Sequence, residues 1–234
     1  MPINHGIPGA AFDGRYEDRL SRILAWVGAN GGDSILDVGC GDGFMLGLIR
    51  RIGVGRDYYG VEIDPEAVIQ GRKCGFDIRE QSVEEPLPFS DGQMDVVIAG
   101  EILEHVVDPD LLLGEIRRVV APTGYVILTT PNLLAWYNRI LILAGVTPMF
   151  VEHSFRASYG PMYSFRRQIN PVVGHVRVFN LTPLRAVVEQ NRFKVTVVAG
   201  AARIPVRWLW WFDKCIARFR PSLAGQLMLV LKPA

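Results

Sequence analysis

The chain has 234 residues, 49% hydrophobic and 21% charged, with a formal net charge of +1. That balance suits one α/β domain with a full core and excludes a disordered chain. Cys40, Cys74 and Cys215 are scattered and odd in number, which excludes a disulfide framework or a zinc site and points to a reducing compartment.

The opening Met1-Pro2-Ile3-Asn4-His5-Gly6 has neither the basic start nor the apolar run of a signal peptide. No apolar stretch reaches the roughly 18 residues needed to span a bilayer, since Asn138 and Arg139 interrupt Leu133 to Val146. A cytoplasmic location is therefore expected, with peripheral contact at the inner membrane face left open. Charge is divided along the chain: residues 1–115 hold 9 basic and 21 acidic side chains, and residues 116–234 hold 16 and 3. Either the second half faces something anionic or the halves neutralise each other in the fold.

Taken in chain order, apolar strands alternate with helical stretches, the pattern of βαβ units on a mostly parallel sheet. Arg15 to Val27 reads as a helix with Leu20, Ile23, Leu24 and Val27 on one face. Ser34 to Val38 is a strand, Phe44 to Ile52 a helix, and Tyr58 to Glu62 a second strand. Asp64-Pro65 opens a helix as N-cap and first residue. Phe76 to Arg79 is a short strand, and Met94 to Ala99 a strand apolar enough to be covered on both faces. Leu111 to Val120 is a helix, Tyr125 to Thr130 the fifth strand, Phe193 to Ala199 the sixth and Gln226 to Leu231 the seventh. The reading is one domain over 1–234: a cofactor half (1–130), a lid insertion over the active site (131–180), and C-terminal strands with an amphipathic helix (181–234).

The strongest chemical signal is Asp37-Val38-Gly39-Cys40-Gly41-Asp42-Gly43. A buried strand ends in alternate glycines and opens a helix whose N-terminus suits a carboxylate. A dinucleotide fingerprint also uses glycines there, but its third position is Phe44 here, too large for the close helix–strand approach required. Glu62, nineteen residues past Gly43, ends the second strand and is placed to accept from two ribose hydroxyls. Ile63 beside it is placed to pack on an adenine.

These motifs, with Gly60-Val61-Glu62-Ile63-Asp64, Leu87-Pro88-Phe89 and Asp95-Val96-Val97, resemble the class I S-adenosylmethionine-dependent methyltransferases, in particular the type 11/12 group that includes quinone-biosynthesis enzymes. The resemblance is close over about 30–132 and looser over the last fifty residues. It implies a Rossmann-like seven-stranded sheet with S-adenosyl-L-methionine as cofactor. Asp37, Gly39, Gly41 and Gly43 would hold the methionine part, Glu62 the ribose, and Ile63, Ser82 and Val83 the adenine. Gly100 would offer backbone to the amino group. Many members carry aspartate where this chain has Ser82.

Glu101-Ile102-Leu103-Glu104-His105 follows, expected on one helical turn. Three readings compete: His105 makes a structural hydrogen bond; His105 or Glu101 takes a proton from the acceptor; or Glu101, Glu104, His105 and the distant His175 bind a divalent ion, as in the metal-dependent small-RNA 2′-O-methyltransferases that this stretch resembles. His105 and His175 are assigned as the candidate catalytic pair, with His153 as another possible base and with no metal ligand assigned.

Arg203 to Arg220, begun at Pro205, reads as a helix with a cationic stripe (Arg203, Arg207, Lys214, Arg218) and an aromatic face (Trp208, Trp211, Phe212, Phe219). Such a helix suits a membrane surface, but the favoured reading packs the aromatic face on the sheet. The function expected is methyl transfer, to an oxygen of a small or lipid- or glycan-linked anionic acceptor held by the basic half, including Arg166, Arg167 and Arg177. Nucleic acid is disfavoured for want of a binding motif. The rivals are a catalytically inactive cofactor-binding protein and a nicotinamide-dependent oxidoreductase.

Overall fold

The computed structural model describes residues 14–166, 172–204 and 207–234. Its centre is a seven-stranded sheet in the order β3-β2-β1-β4-β5-β7-β6. The strands are β1 (Ser34–Val38), β2 (Asp57–Glu62), β3 (Asp77–Glu80), β4 (Met94–Gly100), β5 (Val120–Pro131), β6 (Phe193–Ala201) and β7 (Gln226–Pro233). All neighbours are parallel except β7, which runs antiparallel to both β5 and β6.

The central strands are apolar on both faces because helices cover both. From β1 and β4, Leu36, Val38, Val97 and Ala99 join one core, against α4 (Pro109–Val119) and α7 (Leu181–Gln190). Ile35, Val96 and Ile98 point the other way into a second core, against α1 (Gly14–Asn30), α2 (Phe44–Arg51) and α3 (Pro65–Lys73). The doubly wound mixed sheet is the architecture expected, and β6 and β7 belong to the same sheet as the rest.

Local chemistry sets the helix starts. Asp64 accepts from Glu66 N at 3.0 Å ahead of Pro65. Asp108 accepts from Asp110 N and Leu111 N ahead of Pro109, so α4 begins two residues before the expected Leu111. The third strand is displaced by one residue from its expected span. Between β5 and α7 lie α5 (Trp136–Leu143) and the short α6 (Pro161–Arg166).

The largest departure is α8 (Trp210–Phe219), preceded by a 3-10 turn at Arg207–Leu209. Pro205, its expected start, lies outside the described residues. The favoured reading put its aromatic face on the sheet. Instead Asp213 and Ala217 are its buried residues, while Trp208, Trp211, Phe212 and Phe219 are exposed. The physical reason is topological: β6 and β7 are antiparallel neighbours, which need no crossover helix between them. Among the described residues no helix is long and apolar enough to cross a membrane.

Candidate active site

Strand order reverses between β1 and β4, and the crevice beyond their carboxyl ends is where ligands bind in open α/β sheets. β1 runs into the glycine turn there, fastened to β2 by Gly39 N and Cys40 N donating to Val61 O at 2.9 and 3.1 Å. Gly41 N donates to Glu62 Oε2 at 2.8 Å, and Glu62 Oε1 accepts from Ile63 N and Asp64 N at 2.7 and 2.9 Å. The acid at the end of β2 is thus held between the turn and the next helix. Gly41 is left-handed, φ 55°, and a Cβ there would meet nothing within 4 Å. Gly43, φ 79°, is different: its Cβ would lie 2.6 Å from the Phe76 ring. The space beside Gly41 is open, whereas the missing side chain at Gly43 permits packing.

Asp37 is buried beneath the turn, and burial, opposed by Arg19 and assisted by Glu62, raises its pKa to about 7. Ile63 is 66% exposed at the crevice rim. Ser82 and Val83 sit in the turn after β3: Ser82 Oγ accepts from Glu84 N at 3.2 Å, and Val83 packs on the α4-side core. Gly100 closes β4, and a Cβ there would lie 3.2 Å from Arg19 Nη1. The Glu62 carboxylate, the open space beside Gly41 and the exposed Ile63 side chain fit an adenosine with an attached amino acid.

Glu101 to His105 do not form the expected helical turn. Glu101 takes a left-handed φ of 58°, and the segment is a tight turn closed by His105 N donating to Ile102 O at 3.0 Å. The two glutamates therefore face different partners. Glu101 Oε2 accepts from Arg203 Nη1 and, at 2.9 Å, from Gln226 Nε2. Burial pushes the Glu101 carboxyl up, but Arg203 and Arg19 outweigh it and hold it below the usual carboxylate range. Glu104 is buried, with Oε2 accepting from Thr130 Oγ1 at 3.0 Å and Oε1 without a partner among the described residues. Burial first, then the Glu101 charge, raise its pKa to about 8.

The two histidines 70 positions apart in sequence stand together, ring centroids 4.9 Å apart. His105 Nδ1 lies 3.1 Å from Gly174 O and His175 Nδ1 lies 3.0 Å from Phe150 O. A carbonyl oxygen only accepts, so each Nδ1 donates and Nε2 is the ring nitrogen that can offer a lone pair. Burial, then His175, hold the His105 pKa below its ordinary value. The carbonyl of Phe150 reaches His175 from a left-handed residue, φ 76°, a conformation retained where the surroundings enforce it. Glu152 fixes the loop, its carboxylate accepting from Val173 N, Gly174 N and His175 N at 2.7 to 3.0 Å. One ligand-type atom from each of Glu104, His105 and His175 lies within 4.8 Å of the others. Two imidazoles and a buried carboxylate suit a divalent cation. Glu101, included in the sequence-based ion reading, is outside this group.

Several contributors were absent from the sequence reading. Arg19 donates to Thr129 Oγ1 at 3.4 Å beside Gly100. Arg203, expected on the cationic stripe of α8, belongs to the site through Glu101. Asp213 pins that corner, accepting from Arg203 N, Ile204 N and Trp136 Nε1. Arg177 is engaged with Val107 O, His153 is exposed, and the side chains of Arg166 and Arg167 lie outside the described residues.

A family model described as a methyltransferase domain matches residues 10–198. The chain is 30% identical over 244 residues to an uncharacterized methyltransferase of Mycobacterium leprae (strain TN), covering 93% of this chain and 84% of that one. It is 28% identical to an uncharacterized methyltransferase of Mycobacterium sp. (strain JLS), covering 96% and 88%. Similar folds include a Thermotoga maritima S-adenosylmethionine-dependent methyltransferase described as a possible histamine N-methyltransferase (TM-score 0.63, 15% identity, covering 94% of this chain and 89% of that one). The [4+2]-cyclase SpnF shares the fold at TM-score 0.63 and 18% identity, covering 100% and 89%. With the family match spanning most of the chain, the chain belongs to the methyltransferase-domain family and is a class I S-adenosylmethionine-dependent methyltransferase.

Proposed function

We propose that this methyltransferase acts on a hydroxyl oxygen, with His105 as the base, and that its acceptor is anionic and lipid- or glycan-linked. The observation that carries the oxygen reading is the His105–His175 pair: both Nδ1 atoms are committed to backbone carbonyls. S-adenosylmethionine, when bound, supplies an electrophilic methyl and needs no activation. A hydroxyl acceptor, unlike an amine with its own lone pair, gains from a base at its proton. His105 Nε2 would take that proton as the oxygen–methyl bond forms and the sulfur–methyl bond breaks. Asp37 and the Gly39–Gly43 turn would hold the methionine part, Glu62 the ribose, Ile63, Ser82 and Val83 the adenine, and Gly100 backbone the amino group. The basic second half supports the anionic acceptor.

The test uses methyl-13C-labelled S-adenosylmethionine with a panel of hydroxyl-bearing lipid and glycan phosphates. The carbon shift of the transferred methyl separates oxygen from nitrogen or sulfur products. An O-methyl product lost in His105→Ala, with cofactor affinity retained, is the result expected. An N-methyl product, or full turnover by the variant, overturns the reading.

A second reading is favoured by the grouping of one ligand-type atom from each of Glu104, His105 and His175 within 4.8 Å, with Glu104 Oε1 buried and without a hydrogen-bond partner among the described residues. Glu104, His105 and His175 would hold a divalent cation, which would supply Lewis acidity to the acceptor oxygen. Chelator-treated protein separates the two: turnover that survives chelation supports the base, and turnover restored only by added cation supports the ion.

A further inference from the structure

β6 and β7 pair with Ala201 opposite Gln226, so a short turn could join them. Residues 202–225 instead carry α8. Gln226 also lies opposite Pro131 at the carboxyl end of β5, so α8 leaves from and returns to the sheet end that bears the candidate active site. It meets β6 through small groups: a Cβ on Gly200 would come within 2.9 Å of Ala217 O. Large side chains of α8 and of the 3-10 turn before it are left out, with Trp208 79%, Trp211 74% and Phe219 70% exposed. α5 is tied alongside by Trp136, whose ring lies 5.2 Å from Phe212, and it ends on Leu143, 89% exposed.

The charge on this face has one sign. The sole acid of α8, Asp213, is fully buried and engaged by three donors. Arg218 and Arg220 are exposed and Lys214 is partly so. Lys214 Nζ lies 4.7 Å from the Trp210 ring centre and the Arg218 guanidinium 6.0 Å from that of Phe219, cationic heads beside aromatic bodies. We propose that α8, with the end of α5, docks the protein on an anionic lipid bilayer, rings at headgroup depth and cations on lipid phosphates. A second copy of the chain is a poorer occupant, because a two-fold interface sets the patch against itself and brings like charges together. Nucleic acid would satisfy the cations, but the aliphatic end of α5 offers it nothing. Docking would turn the reacting end of the sheet toward the bilayer. That a lipid-borne acceptor is then taken up directly rests on the function proposed above, whereas docking itself does not.

Full-length protein is floated with vesicles of phosphatidylcholine alone and of phosphatidylcholine with phosphatidylglycerol in equal parts. Tryptophan emission is followed in parallel. Expected is binding to the anionic vesicles only, weakened by salt, with a blue shift on binding. A basic side chain near an anionic surface contributes about fivefold in affinity, so Lys214→Gln/Arg218→Gln/Arg220→Gln should bind roughly a hundredfold more weakly. Trp208→Ser/Trp211→Ser/Phe219→Ser should lose both binding and blue shift. Both variants should retain S-adenosylhomocysteine affinity, which shows that they fold. Equal binding by wild type and both variants, no binding by wild type, a concentration-dependent dimer abolished by the aromatic variant, or preference for oligonucleotide over vesicle each overturns the proposal. Failure to dock with methyl transfer intact would leave the catalytic reading standing.

Discussion

The turn glycines allow a ligand role to be separated from a packing role by a single methyl. In Gly41→Ala the new Cβ meets no protein atom within 4 Å, so the folded state loses only the cost of a left-handed alanine, about 1–2 kcal/mol. For a chain of this size that is a fall in melting temperature of roughly 2–8 °C. In Gly43→Ala the same backbone cost is joined by a Cβ placed 2.6 Å from Phe76 Cδ2. Phe76 is buried under an Arg50 guanidinium 4.5 Å from its ring centre and has little room to yield, which adds about 1–3 kcal/mol. Calorimetric titration with S-adenosylhomocysteine then gives the opposite ranking. Gly41→Ala intrudes on the space facing the crevice and should weaken binding by more than tenfold, while Gly43→Ala, measured where it is folded, should weaken it less. If Gly41→Ala bound like wild type, the open space above Gly41 would not be where the cofactor lies.

Three further outcomes are expected. His105→Ala should slow methyl transfer by about 10²–10⁴-fold with cofactor affinity unchanged. Because the His105 pKa is held below 6.5, the acid limb of the wild-type pH–rate profile should fall below that pH. Asp213→Ala leaves three donors without an acceptor. At about 1 kcal/mol or more each, thermal melts should drop by roughly 6–12 °C; an unchanged melt would remove Asp213 as the pin of that corner. Glu152→Ala releases the amides of residues 173–175. It should lower kcat more than cofactor affinity, and a variant as active as wild type would show that His175 needs no such clamp.

What was legible in the sequence was chemistry carried within a few residues. The glycine turn, the acid closing β2 and the Asp64-Pro65 helix start depend on neighbours in the chain, and each signal is local. The segment after Gly100 was misread as helical although the necessary clue was present: Asp108-Pro109 caps α4, so 101–107 lies before the helix. The rest of the candidate site comes from distance in sequence. Arg203 and Gln226 reach Glu101 across 102 and 125 positions, and Arg19 reaches Thr129 across 110, contacts no spacing rule encodes. The orientation of α8 was missed because a helix covering the sheet was expected between the last two strands, where the chain makes an antiparallel return. The paucity of acids after residue 116 held a further signal: of Glu152, Glu189 and Asp213, two are structural pins to backbone amides.

Glu101 and Glu104 show how one short turn sustains two protonation states. Arg203 and Arg19 keep Glu101 ionised, and that charge, after burial, is what drives its neighbour's pKa up to about 8. Environments that push paired carboxyls apart mark acid–base division of labour. The sign of the linkage is fixed. The Glu104 carboxyl binds its proton more tightly folded than unfolded, so its contribution to stability is full below the ordinary glutamate value of 4.5 and is lost as pH rises toward about 8, an effect of a few kcal/mol. Thermal melts of wild type should therefore decline across that window, and Glu104→Gln, which cannot ionise, should flatten the decline. A bound divalent cation would favour the ionised form and flatten it too. If wild type is flat in chelator and the glutamine variant changes nothing, Glu104 is not neutral in the empty site, and the separation of the two carboxyls fails with it.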